Sequence, residues 1–69
     1  MTLSMANTGE AFQIKKIGGK EETRQFLAKL GFVAGGNVTV VSDSNGSMVV
    51  SVKDSRVAIG RDLANKIMV

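Results

Sequence analysis

The sequence predicts a mainly β domain with small α insertions: a small β-barrel with one helix after the first strand and a short helical turn near the C-terminus. Three observations lead there. Short runs rich in β-branched residues recur between tight turn signals, from "NVTVVSD" through "MVVSVK" to "RVAIG". One segment alone, "KEETRQFLAKL", carries a helical charge and apolar pattern. The chain has 69 residues, enough for one domain, residues 1–69, and a domain of this size buries only about 60% of the surface its unfolded chain exposes. Closing short, twisted strands on themselves is the economical way to remove exposed sheet edges in so small a chain.

The elements follow in order. Residues 1–7 carry no periodic signal and are expected to be only partly ordered, with Thr8-Gly9 as a turn. "EAFQIKKI", Glu10 to Ile17, alternates at Phe12 and Ile14 and reads as a strand that bends or ends at Lys15-Lys16. Gly18-Gly19 punctuate the chain before the helix. Over Lys20 to Leu30, Glu21 and Glu22 occupy the first turn and Lys29 the last, which suits the helix dipole. Phe26, Leu27 and Leu30 make its apolar face, so Phe12, Phe26 and Phe32 are all expected in the core.

Gly31 fits the left-handed position that closes a helix, with Phe32 folding back on Leu27. Gly35-Gly36 turn the chain into the next strand. Asn45-Gly46 is a strong hairpin signal, and the strand that follows puts Met48, Val50 and Val52 on one face. "KDSR" makes a second tight turn, and "RVAIG" points Val57 and Ile59 inward. "RDLANKIMV" starts as a helical turn through Leu63 and Ala64, and Ile67 to Val69 return to the sheet. The whole is an SH3-like small barrel with one inserted helix.

The spacing of Gly31 and Gly36 matches a phosphate-binding loop, but the chemistry does not. Such a loop runs from strand to helix, so that a helix N-terminus faces the anion. Here a helix precedes the loop and a strand follows, and Asn37 and Val38 stand where Lys and Ser or Thr are required. The glycines serve the backbone.

Composition narrows the chemistry further. There is no His, Cys, Trp or Tyr, so the common general base, the thiol nucleophile and the soft metal ligands are missing. Each carboxylate has a structural reason to be where it is: Glu21 and Glu22 at the helix start, Asp43 and Asp54 in hairpins, Asp62 at the last helical turn, Glu10 opening a strand. No catalytic constellation emerges, and the chain is expected not to be an enzyme and to hold no cofactor. Any Fe(II) binding is expected to be weak, through exposed carboxylates.

Three phenylalanines give too few aromatics for a proline-binding groove or a base-stacking platform. The net charge of +3 is spread over scattered cations, with only Lys15-Lys16 adjacent. No apolar run reaches the ~20 residues of a membrane span, and the N-terminus lacks the features of a signal peptide, so a cytoplasmic location is expected.

"FQIKKIGGKEETRQFLAKLGFVAGGNVTVV", followed by "VSVKDSRVAIGRDLANKIMV", resembles the FeoA family over Leu3 to Val69. The resemblance rests on Gly18-Gly19 before the helix, Arg24 within it, Leu30-Gly31-Phe32 with Gly35 after it, Ser55 to Ile59, and Ala64 to Val69. Ala34 departs from the family, which often has proline there, and the turn loses some rigidity. The resemblance implies a small SH3-like cytoplasmic accessory protein of bacterial ferrous iron uptake. Its implied partner is FeoB, the membrane permease with a cytosolic G-protein domain, and weak self-association is compatible with such a role.

A contact surface should combine exposed apolar groups with cations, and Arg24, Val33 and Arg56 are the candidates. Gly18, Gly19, Leu30, Gly31, Phe32 and Gly35 are expected to be structural. Two other readings are the SH3-like domain of a metal-dependent transcriptional regulator and a nucleic-acid-binding small barrel. The chain opens with its own Met and shows no helix-turn-helix segment, which is expected to set it apart from the regulator.

Overall fold

The computed structural model describes all 69 residues. After a 3-10 turn at Leu3–Met5 come β1 (Ala11–Gln13), β2 (Lys16–Ile17), α1 (Glu21–Leu30), β3 (Asn37–Ser44), β4 (Ser47–Val52), β5 (Ser55–Gly60), α2 (Arg61–Ala64) and β6 (Ile67–Met68). The strands form one antiparallel sheet in the order β1-β3-β4-β5 and a second small one pairing β2 with β6. The predicted first strand is thus two strands. The chain bends after Ile14, whose N–H bonds Gly36 O at 2.8 Å, while the next N–H, of Lys15, bonds Met68 O at 2.8 Å.

This bend wraps the two sheets around one core, but the hydrogen-bonded ladder does not run continuously around it. The expected removal of every edge is therefore not achieved. β2 and β6 pair only with each other, and β5 pairs with β4 alone, so no strand joins the two ladders.

The core lies between the inner faces of the sheets. Val38 and Val40 of β3, Met48, Val50 and Val52 of β4, and Ile59 of β5 alternate inward, joined by Ile14, Leu27, Phe32, Ala64, Ile67 and Val69. Val41 is the extra residue of a bulge in β3, where the register passes from Val40↔Val50 to Ser42↔Val49. Two two-residue hairpins connect β3, β4 and β5. The first uses Asn45-Gly46, as predicted; at the second both Lys53 (φ 48°) and Asp54 (φ 63°) are left-handed, the geometry of a type I′ turn.

Two expectations about burial need correction. The N-terminal segment is an integral part of the core: Leu3 is fully buried, Thr2 bridges Met68, and Val69 N–H bonds Met1 O at 2.9 Å. A lone leucine leaves no periodic trace in a sequence, so this plug had no signal. Conversely, Phe26 is 51% exposed and Phe12 only half-buried, leaving Phe32 as the one fully buried aromatic. A helix turns about 100° per residue, so with Leu27 centred on the core and Thr23 and Leu30 flanking it, Phe26 falls at the rim.

Candidate functional site

The residues around α1 are held by backbone bonds that explain most of the family-like glycines. Gly31 has φ 108° and sits at the C′ position of α1. Its N–H bonds Ala28 O at 3.0 Å, and Phe32 N–H bonds Leu27 O at 2.9 Å, the paired bonds of a Schellman motif. A Cβ at Gly31 would lie 3.4 Å from both Val52 Cγ2 and Lys53 Cδ, so the tip of the β4–β5 hairpin closes over the helix end. Leu30 is half-buried beside it.

Beyond the cap, Gly36 N–H bonds Val33 O at 3.0 Å, forming a turn with Gly35 at φ 88° in its third position. Gly35 N–H also bonds Ile14 O at 2.7 Å, which clamps the loop to the end of β1. Ala34 occupies the second position of this turn, where proline's fixed φ is also accepted. Val33 is left 36% exposed on this rigid loop.

At the other end of α1, Gly18 N–H bonds Lys66 O at 2.6 Å, tying the diglycine loop to the residue before β6. Arg24 donates from Nη1 to Gly19 O at 3.1 Å. Its guanidinium is thus engaged in bracing this loop, although the residue remains exposed. Arg56 stands on β5 opposite Ser51, exposed, and forms no ion pair with Asp54 or any other acid. The one salt bridge in the chain is Arg61–Asp43 at 2.6 Å, and Arg61 also bonds Ser4 O at 3.1 Å, fastening the N-terminal plug. The three candidate contact residues therefore occupy separate elements, with no bond linking them.

Two features escaped sequence reasoning. One is exposed Phe26, an aromatic whose rim position only the helix's seating reveals. The other is an open polar cleft of about 350 Å³ lined by Asn37, Thr39, Ser51, Lys53 and Asp54. It lies on the outer face of the sheet, where the register sets Ala11, Thr39, Ser51 and Arg56 in one row across all four strands. No charged side chain is buried anywhere, and no three carboxylates gather into a cation-binding group. No helix is long and apolar enough to cross a membrane.

A family model for the FeoA domain matches residues 1–69. The chain belongs to the FeoA family. A curated FeoA-type relative from Methanocaldococcus jannaschii, named as a candidate Fe(2+) transport protein A, is 40% identical over 67 residues, covering 97% of this chain and 82% of the relative. Among solved structures, an iron uptake regulatory protein FeoA superposes with a TM-score of 0.93 at 29% identity, over 99% of this chain and 92% of the other. Stenotrophomonas maltophilia FeoA in complex with zinc, described as a prokaryotic SH3 domain protein, superposes with a TM-score of 0.85 at 23% identity, over 99% and 87%. The FeoA chain is thus a small, mostly β, SH3-like fold with two helices. The same fold occurs within a manganese-dependent transcriptional repressor, with a TM-score of 0.89 at 17% identity over 97% of this chain and 39% of the repressor.

Proposed function

We propose that this FeoA-family chain is a non-enzymatic accessory protein of ferrous iron uptake, working in the cytoplasm by docking on the cytosolic G-protein domain of the FeoB permease. The observation that carries the reading is the distribution of its chemistry. Every charged group lies outside the core, and no general base, nucleophile or convergent ligand set is assembled. What the surface offers is contact: Val33 on a loop fixed at both ends, Arg56 without an ion-pair partner, and Phe26 exposed on α1. Aromatic and Arg side chains dominate binding energy at protein interfaces. In this reading iron is handled by the permease, and the small domain acts on the permease's conformation.

The M. jannaschii relative's name, and the description of the S. maltophilia protein as a candidate activating factor for ferrous iron transport, support the iron-uptake setting. Titration calorimetry with the purified cytosolic domain of the permease tests the reading. A saturable one-to-one heat is the expected outcome. Absence of binding, together with salt-sensitive association with duplex DNA or RNA, would favour a nucleic-acid-binding barrel instead.

A further inference from the structure

β5 is an unprotected sheet edge. The closing pair of the type I′ hairpin, Val52↔Ser55, exchanges hydrogen bonds, and such pairs alternate along an antiparallel ladder. The bond from Arg61 N–H to Gly46 O at 3.2 Å, one step beyond the last pair, fixes the same phase. Ser55, Val57 and Ile59 therefore direct their backbone groups toward β4, while Arg56 and Ala58 direct theirs outward. None of the backbone bonds outside the regular elements reaches Arg56 or Ala58.

Folded proteins blunt such edges with charged side chains, lysine above all, and with proline, bulges or short strands. β5 has no lysine, proline or bulge, and the single charge of Arg56 is its only such device. It runs for six residues, its register with β4 is unbroken, and the chain contains no proline. The opposite edge, β1, is only three residues long and bends directly into the second sheet.

The side chains along this edge define what would fit. On the inner face Val57 is half-buried beside buried Ile59, so an added strand would complete the cover over Val57. On the outer face Arg56 ends the row Ala11-Thr39-Ser51-Arg56 with its charge unpaired, while the opposite charges of Lys53 and Asp54 offset each other in the adjacent turn. In an extended strand successive side chains point to opposite faces. The fitting partner is therefore a strand with apolar residues on one face and carboxylates on the other. A second copy of this chain is a poorer match, since two β5 strands would bring together cationic edges of molecules that each carry +3.

We propose that β5 is a strand-addition site that takes an extended, alternating apolar and acidic segment of a partner protein, with Arg56 and Ala58 supplying the backbone hydrogen bonds and Arg56 the charge selection. The site does not depend on which protein supplies the strand, and its test is separate from any test with the permease.

The probe is a capped peptide alternating valine and glutamate, with the valine–lysine peptide as control, read by amide hydrogen exchange in the full chain. Only free protein exchanges, so at a peptide concentration about ten times Kd the Arg56 and Ala58 amides should slow about ten-fold. The lysine peptide should leave them unchanged. Ala58→Pro removes an edge donor and should abolish the protection. Should that variant not fold, Arg56→Glu decides, because it should transfer binding from the glutamate to the lysine peptide. The proposal is overturned if the two amides stay unprotected at saturating peptide, if both peptides protect them equally, or if self-association alone protects them.

Discussion

Replacing Gly31 should damage this fold more than replacing any glycine in open space. At φ 108° an L-residue is strained, by about 1–2 kcal/mol for a left-handed conformation. The site is also closed: a Cβ meets Val52 Cγ2 and Lys53 Cδ at 3.4 Å, and Val52 is a core residue. The Lys53 stem can move aside, so Gly31→Ala should cost little more than the strain. Gly31→Val adds two further carbons to a filled space, an overpacking term of about 1–3 kcal/mol, for a total of about 2–5 kcal/mol. Domains hold about 0.05–0.15 kcal/mol per residue, or about 3–10 kcal/mol for 69 residues, so the valine variant should lose a large share of its stability.

Gly9→Ala is the matched control. Gly9 has φ 88°, but a Cβ there meets nothing within 4 Å, so it isolates the backbone term. Urea denaturation should rank the proteins wild type, then Gly9→Ala and Gly31→Ala close together, then Gly31→Val well below, with unchanged m-values. If Gly31→Val loses no more stability than Gly9→Ala, the closed contact between the helix cap and the β4–β5 hairpin does not exist in solution, and the reasoning fails.

Other expectations are as direct. Asp54→Gly should stabilise the chain by about 0.5–1 kcal/mol by relieving a left-handed residue in the type I′ turn, visible as a Tm rise of several degrees. Leu3→Ala should destabilise by about 2–5 kcal/mol, measured in the same urea experiment; a loss below about 0.5 kcal/mol would mean the N-terminal plug is not part of the folded core. Phe26→Gln should change stability by no more than about 0.5 kcal/mol while weakening any partner that uses α1, a split read by denaturation and calorimetry on one variant.

What could be read from the sequence was whatever leaves a local signature. Gly31 after an amphipathic run, Asn45-Gly46 between β-branched runs, and Met48, Val50 and Val52 at a period of two each announce their own geometry. Burial that depends on distant partners does not. Leu3 is buried because the C-terminal strand lies beside it, and Phe26 is exposed because Leu27 wins the contact with the sheet. The division of Glu10–Ile17 into β1 and β2 follows from a change of partner, from β3 to β6, which no window of sequence contains. Lys53-Asp54 reads as a turn but not as a doubly left-handed one, since neither residue demands that conformation.

The proposed contact surface is legible only in part for the same reason. Arg24 and Arg56 look alike as isolated cations. The structure separates them: Arg24 is engaged with Gly19 O, whereas Arg56 has neither a hydrogen-bonded nor an ionic partner. Arg56 thereby becomes the stronger contact candidate of the two, and Arg24 acquires a bracing role in the diglycine loop.

If this chain works, as proposed, through its surface, the permease's cytosolic domain must bind it. An NMR titration of the labelled chain with that domain tests this most directly. Amide shifts should concentrate at Val33, Arg56 and Phe26, saturate at one equivalent, and weaken at least several-fold in Arg56→Ala without loss of folding. A spectrum left unchanged by an excess of the domain, or shifts scattered without saturation, would contradict the proposal.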